Sequence, residues 1–85
     1  MSVSRINNKL NIIGKNIRKY RELRNLSQND ICCQLSLIGI TLYKSDIYNI
    51  EYCKRTVKDF EIYGFSKVLN VSFEQLFENI EDNFI

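Results

Sequence analysis

Chain breakers are almost absent from this sequence. It holds no proline, and its three glycines stand singly at positions 14, 39 and 64. A β sandwich or barrel needs turn residues at short, regular intervals, and this chain cannot supply them. The sequence therefore predicts helices joined by short connections. Its 85 residues make one domain, and a 45% apolar content with five Phe and five Tyr is enough for a single core.

Residues 1–11 mix Ser, Arg, Asn and Lys without periodicity. They read as a flexible arm, in which Arg5 and Lys9 could either reach a DNA minor groove or belong to a disordered tail. From Ile12 the period becomes helical, with Ile13, Ile17, Tyr20 and Leu23 as the apolar stripe and Asn25 as a residue able to end the helix in αL. Ser27 is a good N-cap, with Asp30 in the first turn of a second helix that buries Ile31, Cys32, Leu35 and Ile38. Gly39 stops that helix, and the corner Ile40-Thr41-Leu42 should pack inward.

A third helix is expected over 44–52, with Ile47 and Ile50 facing the core. A fourth runs over 58–69, with Phe60, Ile62, Tyr63, Phe65, Val68 and Leu69 as its apolar residues. Gly64 inside it costs about 1 kcal/mol relative to Ala, so a close backbone contact is expected there. Asn70 breaks the fourth helix, and Ser72 with Gln75 forms a capping box for a fifth carrying Phe73, Leu76 and Phe77. Residues 80–85 form an acidic but partly apolar tail.

The net charge is only +2, yet it is segregated. Residues 1–55 hold ten Lys or Arg against four acids, a balance of +6, and residues 56–85 hold two against six, a balance of −4. A polyanion would be drawn to one end and repelled from the other. With no secretory leader and no run of about 18 apolar residues, the chain should be cytoplasmic and away from membranes. Cys32, Cys33 and Cys53 are odd in number and most simply free thiols. Without histidine or a CxxC pair they make a poor zinc set. No nucleophile–base pair or phosphate loop is present, so neither an enzyme, a cofactor nor a small-molecule ligand is expected.

One ordered set of residues carries a family pattern. Ile13-Gly14-x-x-Ile17-Arg18-x-x-Arg21, then Leu26-Ser27-Gln28, Ile47-x-x-Ile50-Glu51, Lys54-Arg55 and Leu69-Asn70-Val71-Ser72-x-x-x-Leu76-Phe77 resembles the Xre family of Cro- and phage-repressor-like helix-turn-helix regulators. The resemblance covers roughly residues 12–78. It implies an all-α, compact five-helix lambda-repressor-like DNA-binding domain over 12–79, acting as a transcriptional regulator, in the first place a repressor. Its partners would be double-stranded DNA, read through the major groove by helix 44–52, and a second copy on a palindromic site.

By the same resemblance, the groove-facing residues are Tyr43, Lys44, Ser45, Asp46, Tyr48 and Asn49. Burial of Ile47 and Ile50 would leave these on the open face. Asn49 could pair with adenine, Lys44 with guanine and Asp46 with a cytosine amino group, while Tyr43 and Tyr48 could pack on a thymine methyl. Asp46 could equally serve its own helix N-terminus. Gln28, Lys15, Lys19, Lys54 and Arg55 are the expected phosphate contacts. Arg18 and Glu51 match a structural ion pair between the first and third helices. The acidic C-terminal end, with Phe77, Ile80, Phe84 and Ile85, is the expected dimer surface.

Three features depart from the family pattern. The stretch from Leu35 to Leu42 is about five residues longer than the usual corner, Tyr43 replaces a small polar cap, and Cys53 stands where glycine is usual. These departures keep a second reading open: the same fold used as a protein-interaction module, such as an antitoxin, anti-repressor or adaptor.

Overall fold

The computed structural model describes residues 4–84 and is all-helical. Five helices follow one another: α1 (Gly14–Leu23), α2 (Gln28–Leu37), α3 (Lys44–Glu51), α4 (Asp59–Leu69) and α5 (Phe73–Leu76), with a 3₁₀ turn over Glu81–Phe84. The N-terminal boundaries follow from side-chain chemistry. Ser27 Oγ accepts from Asp30 N at 3.0 Å while Ser27 N donates to Asp30 Oδ2 at 2.8 Å, and Ser72 with Gln75 repeats the arrangement. The Ser27 N–H and hydroxyl together hold the Asp30 carboxyl below its usual range. At α1 the cap comes from Asn11, whose Oδ1 accepts from Ile13 N and Gly14 N at 3.0 and 2.7 Å.

Four helices end in one and the same motif. After α2, Ile40 N donates to Leu35 O and Gly39 N to Ser36 O, the paired bonds of a Schellman turn. The same pair closes α1 at Asn25, α3 at Cys53 and α4 at Asn70. Each of these turning residues must adopt positive φ: 86° at Gly39, 56° at Asn25, 54° at Asn70 and 61° at Cys53. Glycine and asparagine tolerate this, but cysteine does not, so α3 ends under strain. Cys53→Gly is therefore expected to stabilise the domain by about 1 kcal/mol, read as a rise in Tm of about 4–8 °C in a thermal circular dichroism melt.

The core is formed by Ile13, Ile17 and Tyr20 of α1, Ile31 and Leu35 of α2, Ile47 and Ile50 of α3, Phe65 and Leu69 of α4, and Leu76 of α5. Ile40, Leu42 and Val71 join it from the connections, so the corner packs inward as its apolar residues imply. Leu23 is 60% exposed, contrary to the expected stripe. Each i+3 step turns back by about 60° on a helix of 3.6 residues per turn, and two such steps carry Leu23 off the face of Ile17. Ile38 is also exposed, because α2 ends one residue before it.

The two helical glycines differ in kind. A Cβ on Gly64 would meet side chains, Ile40 Cδ1 at 2.5 Å and Leu35 Cδ2 at 2.9 Å, not the backbone contact expected from sequence. The close backbone approach is at Gly14 instead, where α1 crosses the end of α3 and a Cβ would overlap Ile50 O.

The segment before α1 is no free arm over its described part. Ile6 and Lys9 exchange backbone hydrogen bonds across a tight turn, and Leu10 N donates to Cys53 O at 2.9 Å. Asn11 Nδ2 reaches Ile50 O and Arg55 O at 3.0 and 2.9 Å. Lys9 Nζ donates to Asn83 Oδ1 at 2.8 Å, so the tail is tied down as well. No helix among the described residues is long and apolar enough to cross a membrane.

Candidate nucleic-acid interface

Helix α3 is fixed from behind by a buried ion pair. Gly14, Ile17 and Arg21 stand at i, i+3 and i+7, one row of α1 that faces α3. At the end of that row Arg21 Nε and Nη2 grip Glu51 Oε2 and Oε1 at 2.6 and 3.1 Å. Glu51 is 4% exposed, and its Oε1 also accepts from Gln28 Nε2 at 3.2 Å. Arg21 Nη1 closes the cluster on Leu26 O. One carboxylate thus joins α1, the start of α2 and the end of α3.

This corrects the expected Arg18–Glu51 pair. Arg18 follows Ile17 by one residue, which turns it about 100° away from the α3-facing row. Its Nε lies 3.5 Å from Glu22 Oε2, its Nη1 donates to Tyr52 Oη at 3.0 Å, and its guanidinium sits 5.4 Å from the Tyr52 ring centre. Tyr52 in turn leans on Tyr48, ring centres 4.7 Å apart. Arg18 is therefore an exposed cation beside the open face of α3.

On that open face, Tyr43 is 69% and Tyr48 46% exposed, Lys44 and Ser45 are exposed, and Asn49 is half-buried. Ile47 and Ile50 are fully buried on the other side. Lys44, Lys54 and Lys15 form no ion pair with any described residue.

Asp46 belongs to the fold. Its Oδ2 accepts from Tyr43 N at 2.9 Å, giving α3 half a capping box where the tyrosine side chain contributes nothing. Its Oδ1 lies 3.6 Å from Arg55 Nε. With both oxygens engaged, Asp46 leaves the set of candidate base contacts.

Arg55 leaves the phosphate set for a related reason. Its Nη1 and Nη2 donate to the two oxygens of Glu61 at 2.9 and 3.1 Å, and Nη1 also donates to Thr56 O. Glu61 is 2% exposed and accepts from Lys58 N as the cap of α4. Burial pushes its carboxyl up, but Arg55 and the Lys58 N–H outweigh this and hold it below the usual range. The sequence reading missed Glu61, whose position three residues into α4 was the available signal. Lys19, another expected phosphate contact, pairs instead with Glu78 at 2.8 Å. Tyr20 Oη donates to the same carboxylate.

The expected dimer residues differ in exposure. Phe77 is half-buried against the core and lines an open apolar groove of about 280 Å³ with Ile12, Val57 and Ile62. Ile80 is half-buried, Phe84 is 61% exposed, and Ile85 lies outside the described residues. Among the thiols, Cys32 is half-buried and pushed up by burial, Cys33 is exposed and Cys53 is half-buried.

What remains on the α3 side is a compact surface of Tyr43, Lys44, Ser45, Tyr48, Asn49, Tyr52 and Lys54, with Arg18 alongside. No family model, curated protein or solved structure matches this chain.

Proposed function

We propose that this domain is a sequence-specific DNA-binding regulator of the Xre type that lays α3 along the major groove. The observation that carries the reading is the anchoring of α3: two buried isoleucines and the Glu51 cluster hold it rigidly while Tyr43, Lys44, Ser45, Tyr48 and Asn49 stay open. A helix is about 10–12 Å across with its side chains, which fits a groove about 12 Å wide. Asn49 suits adenine, Lys44 a guanine edge, and the tyrosine rings thymine methyls. Lys54, Lys15 and Arg18 take phosphates, which adds affinity without sequence information. Gln28 serves mainly to steady Glu51. One such helix covers a few base pairs, so two copies on a palindrome complete the site, and occupancy of that site represses.

The test is duplex binding as a function of salt. Wild-type protein should bind random duplex at low salt and weaken steeply as salt rises. Lys44→Ala combined with Lys54→Ala should lower affinity at least about tenfold and, through the lost Lys54 phosphate contact, reduce the log–log salt slope by about one. Glu22→Gln, beside Arg18, serves as a charge-neutralising control and should bind at least as well as wild type. A salt-independent or absent signal sinks the proposal. In that case the interaction-module reading, favoured by three exposed tyrosines at 43, 48 and 52, takes its place.

A further inference from the structure

Several exposed apolar side chains gather at the outer face of α4. Phe60 and Tyr63 of α4 are 52% and 51% exposed, and Ile38, just after α2, is 47% exposed. These are neighbours. Ile38 Cδ1 lies 3.8 Å from the Cβ position of Gly64, and Phe60, Gly64 and Lys67 share one helical row at i, i+4 and i+7. Lys67 Nζ stands 5.4 Å from the Tyr63 ring centre, at the edge of the patch. Single exposed apolar residues are ordinary, but three side by side mark a surface suited to contact.

The charges around the patch point to a second copy of this chain. Asp59 and Lys67 lie four residues before and four residues after Tyr63, both exposed, and neither forms an ion pair with any described residue. Two antiparallel copies of α4 crossing at Tyr63 set Asp59 beside Lys67 of the partner subunit, and Lys67 beside the partner subunit's Asp59. A twofold interface requires this self-complementarity, because every residue meets its symmetry counterpart. The acidic end of the chain lacks it. A twofold there would bring Glu74, Glu81 and Asp82 against their own copies, and the cations at that end, Lys19 on Glu78 and Lys9 on Asn83, are already engaged.

We propose that two copies associate through the outer face of α4, antiparallel about Tyr63, with Phe60 and Ile38 extending the apolar contact. Helix α4 rests on α1, α2 and α5, whereas α3 rests on α1 and α2, and no residue named for the association belongs to α3. The inference stands whether or not α3 binds DNA.

Charge exchange tests it by sedimentation equilibrium on the full chain. Wild type should dimerise at micromolar concentration. Asp59→Lys and Lys67→Asp should each weaken the dimer at least about tenfold by setting like charges together. The combined Asp59→Lys, Lys67→Asp variant should restore it to near the wild-type constant. Both positions are exposed, and far-UV circular dichroism should show unchanged helicity in all three variants. Phe84→Ser should leave the dimer intact. A monomeric wild type, single variants that dimerise normally, a double variant that stays monomeric, or dissociation by Phe84→Ser would each overturn the proposal.

Discussion

Gly14→Ala is expected to remove about 3 kcal/mol or more of folding stability, a fall in Tm of at least about 12 °C in a thermal melt. The added methyl would overlap Ile50 O and sit 3.0 Å from Glu51 O, and neither carbonyl can rotate away as a side chain would. Helices α1 and α3 would have to separate, which also pulls Arg21 from Glu51. Gly64→Ala makes the informative contrast. Its methyl meets only side-chain tips, closest at Ile40 and Leu35, and alanine gains about 1 kcal/mol of helix propensity over glycine, so the net change should be small. If the two substitutions cost the same, backbone contact is not what singles out Gly14.

Glu51→Ala should cost about 3–5 kcal/mol, because it leaves the Arg21 guanidinium buried without its carboxylate. The Arg21 side chain is only 13% exposed, and Gln28 Nε2 loses its acceptor in the same step. Urea denaturation would read this as a lower midpoint at unchanged slope. Arg21→Lys should lose most of the same stability, since an ammonium cannot reproduce the two-point grip. Removing both charges, with Arg21→Met and Glu51→Leu together, should recover much of the loss. A double variant as unstable as Glu51→Ala would show that the cluster does more than neutralise itself.

Much of the fold is legible because its signals are local. Ser27–Asp30 and Ser72–Gln75 mark helix starts by their own hydrogen bonds, and Asn25, Gly39 and Asn70 mark ends because few residues accept positive φ. Ile40 and Leu42 are apolar within a connection, and burial is the simplest use of them. The errors arise where a side chain is long and its partner distant. Arg18 and Arg21 both reach toward α3 in sequence, and only the row Gly14–Ile17–Arg21 separates them. Arg55 beside Lys54 looks like a phosphate pair until Glu61 is seen buried beneath it. Asn11 looks like part of a polar arm, yet its amide joins the start of α1 to the end of α3. Five residues of the candidate reading surface, Tyr43, Lys44, Ser45, Tyr48 and Asn49, are reachable from sequence because two buried isoleucines determine which side of a short helix is open. Tyr52 and Arg18 are not, since their contact joins residues 34 apart in the chain.

The clasp between Lys9 and Asn83 gives the polypeptide the connectivity of a nearly closed loop. A short linker from residue 5 to residue 84 would complete it, and the chain could be reopened at Gly39, around which a Cβ would meet nothing within 4 Å. In such a circular permutant α2 would end the chain and α3 would begin near its start, with Glu51 still gripping Arg21 and Gln28. The helix-turn-helix would then persist as a spatial unit with no turn joining its halves.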